Sequence, residues 1–565
     1  MTWPTAPADL AAASWADLEP VFDELEARPL TTETAESWLA DWSRFEEIVT
    51  EAISSAMIAY TCDTADAAKE AAHLRFSVDI APKAEERSVR LAERIVRLGY
   101  SRPGLETMLA RFRRSIEIFR AESVPVFSEL EELSTRYQRI TGGFLAEWDG
   151  EQKPLPQLAP FLQSRDRSIR ERAFRAVVGP YRAAQPELAS LFDEQFTRRQ
   201  TVAKNADFPD FQLYSFAAKY RFDYTPADTA RFHAAAAALV PPVLAAMYEE
   251  RRDRLGLGSV RPWDLGAPIY RDEALKPFGT ARELVEKAQR IFEHVDPVLG
   301  GQFQLLIDEQ LLDLESRKGK APGGYCDTLH FRGRPFIFMN ASGVMEDVTT
   351  LLHEAGHAFH ALASAPQPLI WQRYPTAESA ELASMSMELL SAPLLGPPYG
   401  YLSERDAAIA RLEHLEDVVS TLTHVASVDA FQQWLYTSGQ GGDSAARDQA
   451  WLENRGRFER GVDWKGLEAE RVTRWYRQLH IFLYPFYYIE YGIAQLGALQ
   501  VWLNARRDQG VATAAYRRFL SRGATANLPE LYAEAGAKLV FDEQDMGRLV
   551  KEVEREVEKL RSMVG

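Results

Sequence analysis

The sequence predicts a mostly α-helical protein that carries one small β-sheet. Nearly every segment before residue 260 places its apolar residues at the spacing of an amphipathic helix. Alternation with a period of two, which marks a half-buried strand, is limited to residues 268–271, 325–331 and 335–340. Because long helical stretches outnumber these short strands, we expect helices to build the fold and the sheet to be local.

The N-terminal part is a series of predicted helices, and the last segment is another. The clearest N-terminal patterns cover residues 34–56, 82–98, 104–121 and 168–177. The Asp-Gly pair that opens residues 149–154 is typical of a turn. Residues 204–214 show neither period, so we expect a joint there between an N-terminal helical domain, residues 1–200, and a second domain, residues 201–565. The final helix, residues 545–563, is predicted to cap the fold.

The most apolar stretch, residues 234–248, is rich in alanine and contains Pro241 and Pro242. It is shorter than a membrane span requires, and its two prolines predict a helix, a break and a second helix. Residues 1–18 show no cationic region followed by an apolar run, so we expect no signal peptide. We therefore expect no membrane partner.

Composition places the chain among ordinary globular proteins and argues against several partners. Hydrophobic residues make up 46% of its 565 residues, and its net charge is −17. Such acidity disfavours binding to nucleic acid or to an anionic membrane. The two cysteines, Cys62 and Cys326, cannot form a disulfide framework and fit a reducing cytosol, so we expect a cytoplasmic protein. Cys326 lies near a Gly-Gly pair, where a small buried thiol is commoner than a nucleophile.

The sequence His-Glu-Ala-Gly-His begins at His353, in a stretch of helical spacing that ends before Pro366. Residues four apart lie nearly one above the other on a helix, so His353 and His357 can bind one ion. Glu354 is turned by about 100° from His353, which places its carboxylate beside the ion, where it can take a proton from water. This spacing is typical of zinc hydrolases that cleave peptide bonds.

The next predicted helix, residues 376–390 with Pro375 in its first turn, carries three carboxylates on a largely apolar segment: Glu378, Glu381 and Glu388. A catalytic zinc site needs a third protein ligand. A carboxylate on the inner side of this helix can bind the ion or hold the far nitrogen of a ligand histidine. A solvated acidic face is the alternative, but an apolar helix needs partners for its carboxylates.

These motifs resemble the thimet-oligopeptidase-like metallopeptidases of family M3, and above all the oligoendopeptidase F branch. The likeness is carried by His-Glu-Ala-Gly-His-Ala-Phe-His from His353 and by Glu-Leu-Ala-Ser from Glu381, and matched stretches cover residues 263–495. The resemblance implies a multi-helical zincin whose helical lobes flank a deep substrate channel. It makes Glu381 the third ligand of one Zn²⁺ per chain, and it makes Glu378 and Glu388 the carboxylates that orient the histidines.

A glycine-rich loop and a tyrosine-rich block extend the resemblance. The loop, residues 318–326, is similar to that of the same branch, but Pro322 replaces a common glycine and is expected to stiffen it. The block, residues 475–495, resembles the branch's substrate-binding block. The resemblance assigns hydrogen bonds to the oxyanion to His480 and Tyr491, with Tyr488 as a further candidate and the adjacent Tyr487 as an alternative. The candidate substrate-binding residues of these segments are Gly323, Gly324, Tyr325 and Tyr484.

The residues of the tyrosine block allow two interpretations. Pro485 is expected to start a helix on which Tyr488 and Tyr491 share a face. An aromatic cluster of this kind is most often part of a core. Tyrosine and histidine also donate hydrogen bonds to the oxyanion that develops when water attacks an amide carbonyl, so a catalytic role is the other interpretation.

Residues 334–340 are predicted to form a short strand just before the metal-binding helix. Pro335 indicates an edge position, because proline cannot donate to the ladder of a sheet. An edge strand can hold an extended peptide through main-chain hydrogen bonds, which makes Phe336 and Phe338 candidate substrate-binding residues. An ordinary buried strand is the alternative.

These observations predict a zinc-dependent endopeptidase that hydrolyses internal bonds of short, unfolded oligopeptides. Glu354 is the expected general base, and His480 and the tyrosines are the expected oxyanion donors. Two alternatives stay open. One is a zincin exopeptidase of the aminopeptidase type, and the other is a non-catalytic peptide-binding protein of the same shape.

Overall fold

The computed structural model describes residues 3–271, 275–317, 319–321 and 323–564, without the side chain of Pro156. The described chain is mostly helical and contains only small sheets, which confirms the predicted fold class. Lys318 and Pro322 of the glycine-rich loop lie outside the described residues, so the expected stiffening by Pro322 stays a prediction.

The helices run through the whole described chain. In chain order they are α1 Trp15–Ala27, α2 Ala35–Cys62, α3 Ala67–Leu74, α4 Ala81–Leu98, α5 Glu106–Ile118, α6 Val124–Gly142, α7 Ala159–Leu162, α8 Arg167–Asn205, α9 Phe211–Ala218, α10 Pro226–Arg254, α11 Ala281–Val295, α12 Pro297–Asp308, α13 Met345–Ser364, α14 Ala377–Ser391, α15 Glu404–Thr437, α16 Ser444–Phe458, α17 Glu468–Tyr476, α18 Leu479–Leu483, α19 Tyr488–Arg507, α20 Gln509–Arg522, α21 Leu528–Glu534 and α22 Glu543–Val564.

Two small sheets accompany the helices. The strands are β1 Leu145–Trp148, β2 Glu151–Pro154, β3 Leu312–Glu315, β4 Tyr325–Leu329 and β5 Arg334–Ala341. Strands β1 and β2 form an antiparallel hairpin. The other sheet has the order β3-β5-β4, with β3 parallel and β4 antiparallel to β5. It packs against α13 and lies next to the candidate site.

The strand predictions are partly correct. Strands β4 and β5 match the two segments predicted at residues 325–331 and 335–340. Residues 268–271 are not a strand, and β1, β2 and β3 were not predicted. The predicted Asp-Gly turn connects β1 to β2: Asp149 (φ 53°) and Gly150 (φ 83°) both adopt the left-handed conformation that a two-residue hairpin turn requires.

Helix α10 corrects the prediction of a break at Pro241 and Pro242. It continues through both prolines from Pro226 to Arg254. Val240, Pro241 and Leu244 are buried, and the helix packs against α15 and α22. Tertiary packing on one face therefore outweighs the lost backbone hydrogen bonds. Among the described helices, α10 is also the one that is long and apolar enough to cross a membrane by length and composition.

The described chain has four apolar clusters, of which two are large. Helices α1, α2, α4 and α5 enclose one of them, which also receives Leu369. The larger core begins at Leu133 on α6 and extends to Val564 on α22. The domain boundary predicted at residues 200 and 201 falls inside α8, which continues to Asn205. The division into domains 1–200 and 201–565 stays a prediction.

Candidate metal centre

Helix α13 carries the two histidines, and Asp347 fixes where that helix begins. One carboxylate oxygen of Asp347 accepts from the backbone N–H groups of Ser342, Gly343 and Val344, at 2.8, 2.8 and 3.0 Å. A carboxylate at a helix N-terminus satisfies unpaired N–H groups and complements the helix dipole. The helix then runs without interruption past His353 and His357.

Gly356 allows α13 and α14 to approach each other at the site. A Cβ atom on Gly356 would lie 2.6 Å from Cα of Ser384 and 2.8 Å from the carbonyl oxygen of Ala383. No side chain fits at this crossing without moving one of the helices. The close approach brings Glu381, one turn before Ser384 on α14, next to the two histidines of α13.

His353, His357 and Glu381 each direct one potential ligand atom to the same point, and these atoms lie within 4.8 Å of one another. Oε2 of Glu381 is 3.4 Å from Nε2 of His353 and 4.0 Å from Nε2 of His357. In a tetrahedral zinc site with bonds of about 2.0–2.1 Å, two ligand atoms are about 3.3 Å apart. The three residues therefore fit a zinc ion. The spacing of the sequence predicted that His353 and His357 share a site, and the resemblance added Glu381 to it. The structure brings these three residues together.

Neighbouring groups hold the Glu381 carboxylate from both sides. Oε1 of Glu381 accepts from the hydroxyl of Tyr487 at 2.9 Å, and Oε2 accepts from the hydroxyl of Ser384 at 3.1 Å. Burial raises the pKa of Glu381, but the histidines and the Tyr487 hydroxyl outweigh it and hold that pKa well below its ordinary value. The carboxylate is therefore charged at neutral pH, as a metal ligand must be.

Glu388 orients His353 from the side opposite Glu381. Its Oε1 accepts from Nδ1 of His353 at 2.6 Å, and its Oε2 contacts Nε2 of His414 at 2.9 Å. The bond at Nδ1 leaves Nε2 of His353 facing Glu381. Burial lowers the pKa of His353, but Glu381 and Glu388 outweigh it and raise that pKa well above its ordinary value. The two carboxylates thus stabilise positive charge at this point, which suits a cation.

Removal of the Glu388 carboxylate is expected to weaken the metal centre without abolishing it. We predict that Glu388→Ala binds zinc about 10–100-fold more weakly, the usual cost of losing a group that orients a ligand histidine. The measurement is zinc affinity by competition with a chromophoric chelator. Glu404→Ala is the control, because Glu404 is exposed on the neighbouring helix α15. Equal zinc affinity in the Glu388→Ala variant and the parent would contradict the role of Glu388.

Glu378 has other partners than the resemblance implied. Its Oε1 accepts from the hydroxyl of Tyr224 at 2.6 Å and lies 4.0 Å from Nε of Arg221. Among the described contacts it has no bond to either ligand histidine. It lies one turn before Glu381 on α14. The expectation that Glu378 orients a histidine is therefore corrected, and Glu388 and His414 form the support at His353.

Glu354 lies beside the three potential ligands, as the helix geometry predicts. Glu354 is 7% exposed, and the backbone N–H of Cys326 on β4 is close enough to lower the pKa of its carboxyl group. Burial raises its pKa to about 7, although the charge on His353 opposes this. A carboxyl group poised near neutral pH can both accept and release a proton. Burial raises the pKa of the Cys326 thiol well above its ordinary value, so that thiol is a poor nucleophile.

His480 and three tyrosines line the other side of the centre. The ring centroid of His480 is 4.9 Å from that of Tyr488, 5.5 Å from that of Tyr487 and 5.9 Å from that of Tyr491. Burial lowers the pKa of His480 to about 4, so its ring is neutral at pH 7 and has one N–H to donate. Burial also raises the pKa values of the three tyrosines, which keeps their hydroxyls protonated.

The three tyrosines differ in their partners. Tyr487 donates to the ligand Glu381, and Tyr488 donates to Oε1 of Gln478 at 2.8 Å. Tyr491 has no hydrogen-bond partner among the described contacts, although both Glu381 and Glu354 influence its pKa. Its hydroxyl is thus the one that stays available near the centre.

Pro485 precedes α19, which begins at Tyr488, so the prediction that this proline starts the helix is wrong by one turn. Pro375 likewise precedes the N-cap of α14, Thr376.

The edge-strand prediction for residues 334–340 is wrong. Strand β5 is central in the sheet, between β3 and β4. Pro335 is tolerated because it lies at the second position of the strand, opposite Thr328 near the end of β4. The edge strand next to Glu354 is β4, whose Cys326 N–H influences the pKa of the Glu354 carboxyl group.

The candidate substrate-binding residues lie in different settings. Tyr325 and Phe338 are register partners across β4 and β5, their rings stack at 4.8 Å, and the Tyr325 hydroxyl bonds to Thr61 at 2.6 Å. Phe338 is fully buried, whereas Phe336 is partly buried. Gly323 adopts the left-handed conformation (φ 98°). A Cβ atom on Gly324 would lie 3.3 Å from Cγ2 of Thr350 on α13. Tyr484 is 54% exposed.

These features define a class: mostly helical proteins in which a His-Glu-x-x-His helix and a glutamate of the next helix form a candidate metal centre. The model of the family described as peptidase family M3 matches residues 161–547. The chain belongs to this family, which confirms the resemblance.

Curated and solved proteins agree with this assignment. An oligoendopeptidase F homolog of Borreliella burgdorferi is 24% identical over 64% of the chain, and the oligopeptidase PepF of Bacillus subtilis is 23% identical over 72%. The matches cover 60% and 59% of these two relatives, less than two thirds of their length. A structure described as PZ peptidase A with inhibitor 2 is 25% identical, with a TM-score of 0.89 over 99% of this chain and 98% of that one. The oligoendopeptidase-F of Enterococcus faecium shares the fold, with a TM-score of 0.65, 16% identity and coverage of 97% and 98%.

Proposed function

We propose that this protein is a zinc-dependent endopeptidase that hydrolyses internal peptide bonds of short, unfolded oligopeptides, with one Zn²⁺ per chain. The observation that carries the proposal is the convergence of His353, His357 and Glu381 within 4.8 Å, next to the buried Glu354. Membership of peptidase family M3 and the names of the relatives support the reaction and the substrate class.

The proposed chemistry divides between the ion and Glu354. When bound, zinc supplies a Lewis acid that acidifies water and polarises the scissile carbonyl. Glu354 accepts the proton of the attacking water on a carboxylate oxygen and passes it to the nitrogen of the leaving amine. Its raised pKa, about 7, suits both transfers because neither direction is strongly uphill at neutral pH.

His480 and Tyr491 are proposed to donate hydrogen bonds to the carbonyl oxygen as negative charge develops on it. A neutral imidazole N–H and a protonated phenol are both donors, and the pKa shifts of these groups keep them in those forms. Tyr487 is occupied by Glu381 and Tyr488 by Gln478. We therefore assign the direct tyrosine contact to Tyr491 and a supporting role to the other two.

The substrate is proposed to lie in an extended conformation along β4. This strand is an edge of the sheet and its Cys326 N–H reaches Glu354, so a peptide paired with it would pass the reacting groups. Main-chain pairing places few demands on sequence, which suits a peptidase for varied oligopeptides. The net charge of −17 and the two cysteines support a cytoplasmic protein without nucleic-acid or membrane partners.

Cleavage of an internally quenched oligopeptide tests the proposal. We expect the purified, zinc-loaded protein to cut the peptide at internal bonds, a chelator to abolish the reaction, and added zinc to restore it. Products are mapped by mass spectrometry. Release of single residues from one end would instead indicate an exopeptidase, and binding without cleavage would indicate a non-catalytic peptide-binding protein.

A further inference from the structure

The segment that carries Tyr487, residues 484–490, is held in place by a buried arginine that is distant in sequence. Arg221 follows α9, and its side chain is fully buried. Its Nη2 donates to the backbone carbonyl of Phe486 at 2.5 Å and to Oε1 of Glu490 at 2.8 Å. These two acceptors lie on either side of Tyr487. One guanidinium therefore binds the chain both before and after the tyrosine that donates to Glu381.

The part of this segment before Tyr488 has no helix or strand hydrogen bonds to fix its backbone conformation. Helix α18 ends at Leu483 and α19 begins at Tyr488, so the residues between them are irregular. Phe486 adopts a φ of 63°, a left-handed conformation that bulky residues rarely adopt. Its N–H donates to Oε1 of Gln432 at 2.8 Å, and its carbonyl accepts from Arg221. Both polar groups of this unusual residue are therefore fixed by distant side chains.

Arg221 also reaches the helix of the third ligand. Its Nε lies 4.0 Å from Oε1 of Glu378, one turn before Glu381 on α14. The aromatic rings of Phe216 and Tyr224 lie 4.4 and 5.5 Å from the guanidinium carbon and fix its orientation. Both hydrogen bonds come from Nη2, whose two N–H groups lie in the guanidinium plane and so hold the two acceptors at a set angle, which an ammonium group does less well.

We propose that Arg221 is a positioning residue, which acts through the segment 484–490 to keep the Tyr487 hydroxyl on Glu381. The inference rests on the proposed function, because it assumes that Glu381 binds the metal. Arg221 itself does not touch the ligand histidines or Glu354 among the described contacts. Its effect on the centre passes through the backbone of Phe486 and the carboxylate of Glu490.

Substitution of Arg221 by methionine tests the proposal through two separate readouts. We expect Arg221→Met to bind zinc about 10–100-fold more weakly, because Glu381 loses the support of Tyr487. We also expect kcat to fall about 100-fold with little change in KM, as when a catalytic group shifts by about 1 Å. Zinc affinity is measured by chelator competition, so this readout holds even if the parent protein cleaves no peptide and the proposed function fails.

Arg170 provides a matched control for the loss of a buried arginine. It is 1% exposed, bonds to Asp264 at 2.8 Å and to the carbonyl of Trp263 at 3.2 Å, and has no described contact with the tyrosine segment. Arg170→Met is expected to lower the melting temperature while zinc affinity and kcat stay at parental values. A loss of zinc affinity in both variants would assign the effect to general destabilisation and overturn the proposal.

Combination with Tyr487→Phe shows whether Arg221 acts through that tyrosine. We expect Tyr487→Phe alone to lower zinc affinity. The double variant with Arg221→Met should bind zinc as tightly as whichever single variant has the lower affinity, because both changes break the same contact. Multiplied losses would overturn the proposed route. Arg221→Lys serves if the methionine variant does not fold: an intermediate loss of zinc affinity supports the proposal, and parental affinity overturns it.

Discussion

Glu354→Gln is expected to bind zinc like the parent chain and to lose nearly all peptide hydrolysis. Glutamine has the same shape, so it fits the buried position of Glu354 beside the three potential ligands. It cannot take a proton from water at neutral pH, which removes general-base catalysis worth about 10²–10⁴-fold in rate. The measurements are kcat on the quenched peptide and the zinc content of the purified variant.

Glu346→Gln is the matched control for this prediction. Glu346 lies in the first turn of the same helix, α13, but its side chain is exposed. It should behave like the parent in both measurements. A kcat of Glu354→Gln within about 10-fold of the parental value would be smaller than general-base catalysis supplies, and it would assign the proton transfer to another group.

Glu381→Ala is expected to lose both bound zinc and activity. The substitution removes one of three potential ligands and leaves His353 and His357 alone on α13. It also leaves the Tyr487 and Ser384 hydroxyls without their shared acceptor. Metal content by atomic spectroscopy and hydrolysis of the quenched peptide are measured on the same sample.

The outcome for Glu381→Ala decides the ligand set. Retained zinc at one ion per chain would remove Glu381 from the ligands. Glu346→Ala again serves as the control, and we expect it to keep both zinc and activity. Because the partners of Glu381 outweigh its desolvation, its loss is expected to lower the melting temperature, so folding of the Glu381→Ala protein is checked by circular dichroism on the same sample.

The sequence was most informative where function depends on local spacing. His353 and His357 share a helix face because four residues separate them, and the structure places both at the centre with Glu354 beside them. The proposed third ligand, Glu381, came from a resemblance, because the residues alone left Glu378, Glu381 and Glu388 equivalent. Only the packing of α14 on α13 distinguishes them, and Gly356 is the one local sign of that packing.

Residues brought together over long distances in the chain could not be predicted in the same way. Arg221 and Phe486 are 265 residues apart, and His414 lies on α15 with nothing in its neighbourhood to pair it with Glu388. The prediction that β5 is an edge strand failed because a proline shows only that one position lacks a backbone N–H. It does not show whether the rest of the strand has neighbours on both sides. The prediction of a break in α10 failed because the two prolines carry no information about the helices that pack against α10 and stabilise it.

The crossing of α13 and α14 at Gly356 and Ser384 makes the proposed metal centre a link between two separate helices. The ligand atoms converge only when these helices are in contact, so the ion binds the packed arrangement and not the separated one. By thermodynamic linkage, the free energy of metal binding therefore adds to the stability of this interface. Metal supply would then act on the stability of the folded protein as well as on its chemistry, since a chain without the ion keeps only the packing of the two helices and the hydrogen bond from His353 to Glu388.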